Sequence, residues 1–192
     1  MEYQKGRRLF DKKSHKKYDT LGKNFGYHLI NHYLSDYPHL KIISSKYIED
    51  KKCGDLTVQN INTENIMKIE FECRNAFAFN QNFNAKFPTV DIPMKKLEQI
   101  KNGWYMAFDQ DEIYNNNLPQ RYYFIRVKDI LNKDLVQTYF KRVNCHDKLE
   151  EFYAVPNYLV KRMLFNQFQG DYNEFKPYNI RQSSGISKEY YG

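Results

Sequence analysis

The 192-residue sequence predicts an α/β (α+β) layered fold, and three observations carry that expectation. Tyr18, Leu21, Phe25, Leu29 and Tyr33 recur at helical spacing in a segment that runs to about Tyr37 and stops before Pro38. In Met67–Arg74 the apolar residues Met67, Ile69, Phe71 and Cys73 alternate with Lys68, Glu70, Glu72 and Arg74, the period of a strand with one buried face. A helix-like run then extends from Met94 to Lys101, opened by Pro93 and stopped by Gly103, ahead of two aromatic strands, Trp104–Phe108 and Arg121–Val127.

In chain order, a basic arm over residues 1–17 without a fixed conformation of its own comes first. The helix follows, and then two strands, Leu40–Ile48 and Asp55–Asn60, with Asn60–Asn65 turning the chain into the Glu70 strand. A loop rich in Asn and Phe spans Asn75–Phe87, and an Asn-rich loop containing Asn115–Asn117 joins the two aromatic strands. Further on, Lys128–Leu131 reads as a short helix, Leu135–Val143 as a strand or a helix, and Glu150–Val155 as a strand ending at Pro156. Tyr158–Leu164 reads as the start of a last helix, and residues 181–192 as a loose tail beyond a single domain of residues 18–180. There is no internal repeat.

Thirty Lys and Arg against 23 Asp and Glu give a formal charge of +7, and 17 Tyr with 14 Phe bring the aromatic share to 17%. Positive charge attracts phosphates whatever the sequence, and aromatic faces stack on exposed bases, so the combination suits a nucleic acid partner. A biased base composition in the source genome would enrich the same aromatic residues. Three widely spaced cysteines, Cys53, Cys73 and Cys145, without a signal peptide, point to free thiols in a reducing cytoplasm, the host cytoplasm for a viral protein. Neither Cys145-His146 nor the pair His28 and His32 has the second Cys or His pair that a zinc motif needs. No run approaches the ~18 apolar residues of a membrane span.

The chemistry concentrates on Asp55, Glu70 and Glu72. Period-two geometry points Glu70 and Glu72 the same way, and Asp55 opens the preceding strand. Such a set of oxygen donors suits a hard divalent cation such as Mg2+. The plainer alternative is a hairpin face of ordinary solvated acids.

The order helix, strand, strand bearing Asp55, strand bearing Glu70-Phe71-Glu72, helix resembles the core of the PD-(D/E)xK nuclease superfamily. In that restriction-endonuclease-like pattern an Asp opens one strand and, a variable distance on, an acidic residue precedes a Lys by two positions. Asp55 and Glu70 match the two acids with 14 residues between them, and Glu72 stands where the lysine is expected. Some enzymes of this fold carry Glu there, so Glu72 is a candidate ligand or base, while Arg74, Lys95 and Lys96 are the candidates for the displaced positive charge. The Phe87–Leu97 segment also looks similar to uncharacterised phage-type proteins with this core. The resemblance covers roughly Tyr18–Val127 and implies a central mixed sheet flanked by helices.

It further implies a nuclease, an endonuclease hydrolysing phosphodiester bonds with Mg2+ or Mn2+ bound by Asp55, Glu70 and Glu72. DNA would be the substrate, and a homodimer would form if both strands are cut. Arg7, Arg8, Lys12, Lys13, Lys16 and Lys17 of the arm would meet flanking phosphates. Two other classes stay open: a nucleic-acid-binding protein of the same fold without catalysis, and a viral structural or host-interaction protein indifferent to metal.

Overall fold

The computed structural model describes residues 12–45, 55–75, 77–116, 119–131, 136–143 and 148–164. It combines a six-stranded mixed sheet, a three-stranded antiparallel sheet and, among the described residues, four α-helices. Helix α1 (Lys12–Ser35) leads into β1 (Leu40–Ser45), β2 (Leu56–Asn60) and β3 (Ile66–Arg74), then β4 (Thr89–Pro93), α2 (Met94–Gln99) and β5 (Trp104–Asp109). Next come α3 (Gln110–Asn116), β6 (Arg121–Arg126), α4 (Val127–Leu131), β7 (Gln137–Val143), β8 (Lys148–Pro156), a 3-10 turn (Asn157–Leu159) and β9 (Lys161–Leu164).

The large sheet runs β1-β2-β3-β5-β6-β9, and the small one β4-β8-β7. Strands β1, β2 and β3 form an antiparallel meander, whereas β3 and β5 are parallel. Parallel neighbours need a crossover connection, and the segment that contains α2 supplies it. The register sorts the side chains into two faces. Ile69 and Phe71 of β3, Met106 and Phe108 of β5, and Tyr122 of β6 share a buried cluster with Leu21, Phe25 and Leu29 of α1. Tyr105, Ala107, Tyr123 and Ile125 point the opposite way, into a second cluster with Leu97 of α2, Ile130 of α4, and Ile92 and Val155 of the small sheet. The large sheet is therefore the middle layer, with α1 on one face and α2, α4 and the small sheet on the other.

Close approach of α1 to β3 depends on two glycines a helical turn apart. A Cβ at Gly22 would fall 2.8 Å from Cys73 Sγ, and one at Gly26 only 2.2 Å from the Phe71 ring. Leu21, Phe25 and Leu29, spaced by four, then bury against the sheet, each burial worth roughly 2 kcal/mol.

Four expectations are corrected or completed by tertiary context. First, α1 begins at Lys12 and not near Tyr18, so Lys12, Lys13, Lys16 and Lys17 belong to its first turns rather than to an arm. Lysine is nearly as good a helix former as leucine, and a helix anchored downstream extends through such residues. Second, the Asn-rich connection after β5 holds α3, because Asp109 Oδ1 accepts the Asp111 N–H at 3.0 Å and Asp111 and Glu112 sit in the first turn, where carboxylates favour the helix dipole. Third, Tyr158–Leu164 forms no helix: after one 3-10 turn, Lys161–Leu164 pairs as β9 with Phe124–Arg121 of β6. An open strand edge satisfies these backbone groups and outweighs local propensity. Fourth, Leu135–Val143, whose pattern fits strand and helix alike, contributes β7 to the small sheet, pairing with β8. Arg7, Arg8, Cys53, Cys145 and the tail of residues 181–192 lie outside the described residues. No helix among the described residues is long and apolar enough to cross a membrane.

Gly26→Ala gains up to about 1 kcal/mol of helix propensity but overpacks a ring that is 1% exposed, at a cost of about 1–3 kcal/mol. Because the added Cβ would fall 2.2 Å from the ring, the cost lies toward the upper end of that range and the expected outcome is a net loss of up to about 2 kcal/mol, read as a lower denaturant midpoint with an unchanged slope. A midpoint at or above that of the parent chain would show that α1 does not need the close approach.

Candidate functional site

Strand β2 begins beside the middle of β3, and the charged cluster is built where it begins. Leu56 pairs with Ile69, and the Asp55 N–H donates to the Ile69 carbonyl at 2.9 Å, so the register sets Asp55 opposite Glu70. Beyond this point the β3 edge has no strand partner among the described residues. The Asp55 side chain substitutes: its Oδ2 accepts the Phe71 N–H at 2.9 Å, and the residue is 2% exposed. Lys23 reaches the same carboxylate from α1, with Nζ 3.6 Å from Oδ1, while also donating to Asp19 one helical turn earlier. Burial alone would lower the Lys23 ammonium; Asp55 and then Asp19 outweigh it and hold its pKa above the ordinary value.

The second half of the cluster lies on the β3 face turned toward α2. Lys96 Nζ sits 3.5 Å from Glu70 Oε1 and 3.3 Å from Glu72 Oε2. Arg74 Nη1 is 4.0 Å from Glu72 Oε2 and donates to the Tyr105 hydroxyl at 3.0 Å. Tyr105, carried by the parallel strand β5, donates its own proton to Glu72. Burial works against ionised Glu72, but Lys96, Arg74 and the Tyr105 hydroxyl prevail and hold its carboxyl at about 2. Burial likewise opposes the Lys96 ammonium, and Glu72, Glu70 and Asp55 together keep it protonated well past its usual range. Burial pushes the Tyr105 phenol up, so it remains a hydrogen-bond donor.

The structure thus brings together Asp55, Glu70, Glu72, Arg74 and Lys96 and adds Asp19, Lys23 and Tyr105. Lys95, one position along α2, is exposed and outside the cluster, because consecutive helical residues point about 100° apart. The Asp19–Lys23 spacing of four is a readable signal of a helical ion pair, although nothing in it indicates Asp55 as a shared partner. Tyr105 has no local signal, since only the parallel β3–β5 pairing carries it to Glu72. The side chains of Lys12, Lys13, Lys16 and Lys17 lie outside the described residues. Among the described residues, no three His, Cys, Asp or Glu side chains converge as a ready metal-binding group.

A separate buried network braces the end of β5. Arg121 donates to Asp109 Oδ2 at 2.8 Å, to Glu112, and to the backbone carbonyls of Phe79 and Asn80. Glu112 Oε2 in turn accepts the N–H groups of Gln120 and Arg121 at 2.9 and 3.0 Å. This tie fixes α3 and the Phe79–Asn80 loop against β6, and it adjoins the cluster, because Asp109 pairs with Arg74 across the ladder.

The depressed carboxyl of Glu72 has a consequence for acid stability. A carboxyl held at about 2 when folded, against 4.5 ordinarily, contributes stability that is complete above pH 4.5 and lost as pH falls through 2. The shift corresponds to on the order of 3 kcal/mol. Glu72→Gln should therefore lower stability at neutral pH by about 3 kcal/mol, by leaving Lys96 and Arg74 undercompensated, and flatten the acid limb of the stability curve. A variant that keeps the parental acid limb would show that Glu72 is not the group being titrated.

No family model, curated protein or solved structure matches this chain.

Proposed function

We propose that the protein is a metal-dependent nuclease of the PD-(D/E)xK type, hydrolysing phosphodiester bonds in nucleic acid, DNA foremost. The observation that carries this reading is the Lys96 ammonium between Glu70 and Glu72. It supplies, from α2, the positive charge that the strand position of Glu72 lacks. The order of α1, three antiparallel strands, a crossover with α2 and the parallel strand β5 supports the same restriction-endonuclease-like reading. So does the basic excess of the chain.

Asp55, one residue ahead of β2, and Glu70 of β3 are hard oxygen donors set opposite one another, and Mg2+ or Mn2+ of the kind held by one or two carboxylates together with water and substrate phosphate fits that donor set. Tyr105, Arg74 and Lys96 all engage Glu72, so a cation there would compete with three groups, whereas at Asp55 and Glu70 it would compete chiefly with Lys23 and Lys96. When bound, the metal supplies Lewis-acid polarisation of the phosphate and a more acidic water.

The chain's own residues do the rest. The Phe71 N–H fixes the plane of the Asp55 carboxylate. Lys96, kept protonated by its two glutamates, contributes a fixed positive charge for a phosphate whose negative charge grows in the transition state. Glu72, held at about 2, takes up no proton near neutral pH and acts instead by orienting Lys96 and Arg74.

A second reading, a nucleic-acid-binding protein of this fold without catalysis, is favoured by one feature: Lys23, Lys96 and Arg74 already neutralise much of the carboxylate charge. Purified protein incubated with plasmid and single-stranded substrates in Mg2+, Mn2+ or EDTA separates the two. Cleavage should require metal, disappear in Asp55→Asn and Glu70→Gln, and fall by about 10²-fold or more in Lys96→Met, with Lys95→Met close to the parent. Tight binding with no cleavage under any metal would favour the second reading. Cleavage that survives Glu70→Gln would remove the site assignment.

Replacing Arg7, Arg8, Lys12, Lys13, Lys16 and Lys17 with Gln should weaken binding to every sequence alike. The log–log salt slope should fall by roughly 0.9 for each duplex phosphate that the chain no longer neutralises. An unchanged slope would make this segment a bystander.

A further inference from the structure

A cavity of about 530 Å3 opens at the other end of the large sheet, lined by Ile30, Tyr33 and Leu34 of α1, Val58 of β2, Met67 of β3 and Trp104 of β5, among others. It lies on the α1 face, whereas Glu70, Glu72 and Lys96 lie on the α2 face. Along β3, Met67 and Glu72 are separated by about 16 Å at the usual strand rise. The volume is in the range of small-molecule sites, roughly 300–1,000 Å3.

The lining has a pattern. Ile30, Leu34, Leu40, Val58 and Met67 make an apolar floor; Tyr33 and Trp104 add aromatic rings. Asn60, Asn65, Asn102, Arg126 and Lys128 complete the polar part of the lining, and none of its described residues is a carboxylate. Trp104 is held ready as a flat surface, stacked on Phe124 with ring centroids 5.2 Å apart and planes inclined by 26°, while Lys161 lies over the far ring. Tyr33, 39% exposed, packs against Tyr37 at 4.8 Å. Arg126 stands directly across the ladder from Trp104. Its ion pair with Asp129, at 4.0 Å, joins two side chains that are both close to half exposed, and such pairs contribute little.

From this chemistry we infer that the cavity binds a nucleotide, its base against Tyr33 and Trp104 and its phosphate at Arg126 and Lys128. An aromatic face stacks on any base, and an Asn amide offers both a donor and an acceptor to a base edge. Two cations, one of them paired only weakly with Asp129 outside the described lining, match a phosphate. A fatty acid would use the floor and a cation but leave the amides without a role. The nucleotide is either a free mononucleotide or one unit of a single strand. The site does not rest on the hydrolase reading, because it shares no residue with the Asp55–Glu70–Lys96 cluster.

Trp104 is the only tryptophan in the chain, so its fluorescence reports on the cavity directly. The full chain in EDTA, which keeps cleavage out of the measurement, is titrated with adenosine monophosphate, adenosine, inorganic phosphate, a medium-chain fatty acid and a short oligothymidylate. Saturable quenching by adenosine monophosphate, weaker with adenosine and absent with phosphate alone, is expected. Arg126→Gln combined with Lys128→Gln, both at the rim, should weaken it by about tenfold or more with an unchanged far-UV spectrum. Asn102→Ala, an exposed position, should weaken it without altering the fold. A much tighter oligothymidylate response identifies the ligand as a unit of a single strand, and an equal or weaker one identifies it as a free nucleotide. No saturable change with either nucleotide probe, a response equalled by fatty acid or phosphate, or indifference to the rim substitutions overturns the inference.

Discussion

The two-sidedness of β3 is the constraint on which the rest depends. Ile69 and Phe71 turn one face toward α1, while Glu70, Glu72 and Arg74 turn the other toward α2 and Tyr105. Because the side-chain period of a strand is two, a slip of one residue would bury the charges against α1 and turn the apolar set toward Lys96 and Tyr105. Register is held from both sides, by Leu56 opposite Ile69 on β2 and by Phe71 opposite Met106 on β5. Asp55 belongs to the same device, since it takes the Phe71 N–H where β2 has not yet begun.

Burying carboxylates is costly unless cations and hydrogen bonds replace their water, and the fold supplies both from separate elements. Lys23 comes from α1, Lys96 from α2, Arg74 from β3 itself and the Tyr105 hydroxyl from β5. The cluster therefore joins elements that the two apolar cores would otherwise hold only through unspecific packing. That same neutralisation sets the chemistry available. Glu72 is too acidic to serve as a base near neutrality, and Lys96 is too firmly protonated to lose its charge, so neither group exchanges a proton there.

The two ends of the large sheet differ in character for a related reason. At the Glu72 end, β3 and β5 finish beside a second ion network around Arg121, and the side chains are charged and closely engaged. At the Trp104 end, the lining of the space beneath α1 is apolar and aromatic with Asn, Arg and Lys added. One end thus carries a dense set of ion pairs, and the other an open apolar and aromatic surface edged with amides and cations.

The alternation of Met67–Arg74, the stripe of Leu21, Phe25 and Leu29, and the aromatic strands Trp104–Phe108 and Arg121–Val127 were legible in the sequence alone, because each is a local period that any partner must respect. Asp55, Glu70, Arg74 and Lys96 were legible as candidates, for a carboxylate at a strand start and an acidic strand face are local too. What only tertiary structure decided was which lysine meets Glu72, since Lys95 and Lys96 differ solely in how α2 is rotated against the sheet. It also decided that Asp19, Lys23 and Tyr105 join the cluster, since residues distant in sequence meet there only through the packing of α1 on β3 and the parallel β3–β5 pairing. Strand β9 and helix α3 fall in the same class: an open edge on β6 and a cap at Asp109 overrode local propensity, because satisfying buried backbone groups is worth more than the few tenths of a kcal/mol by which most residues differ in preference.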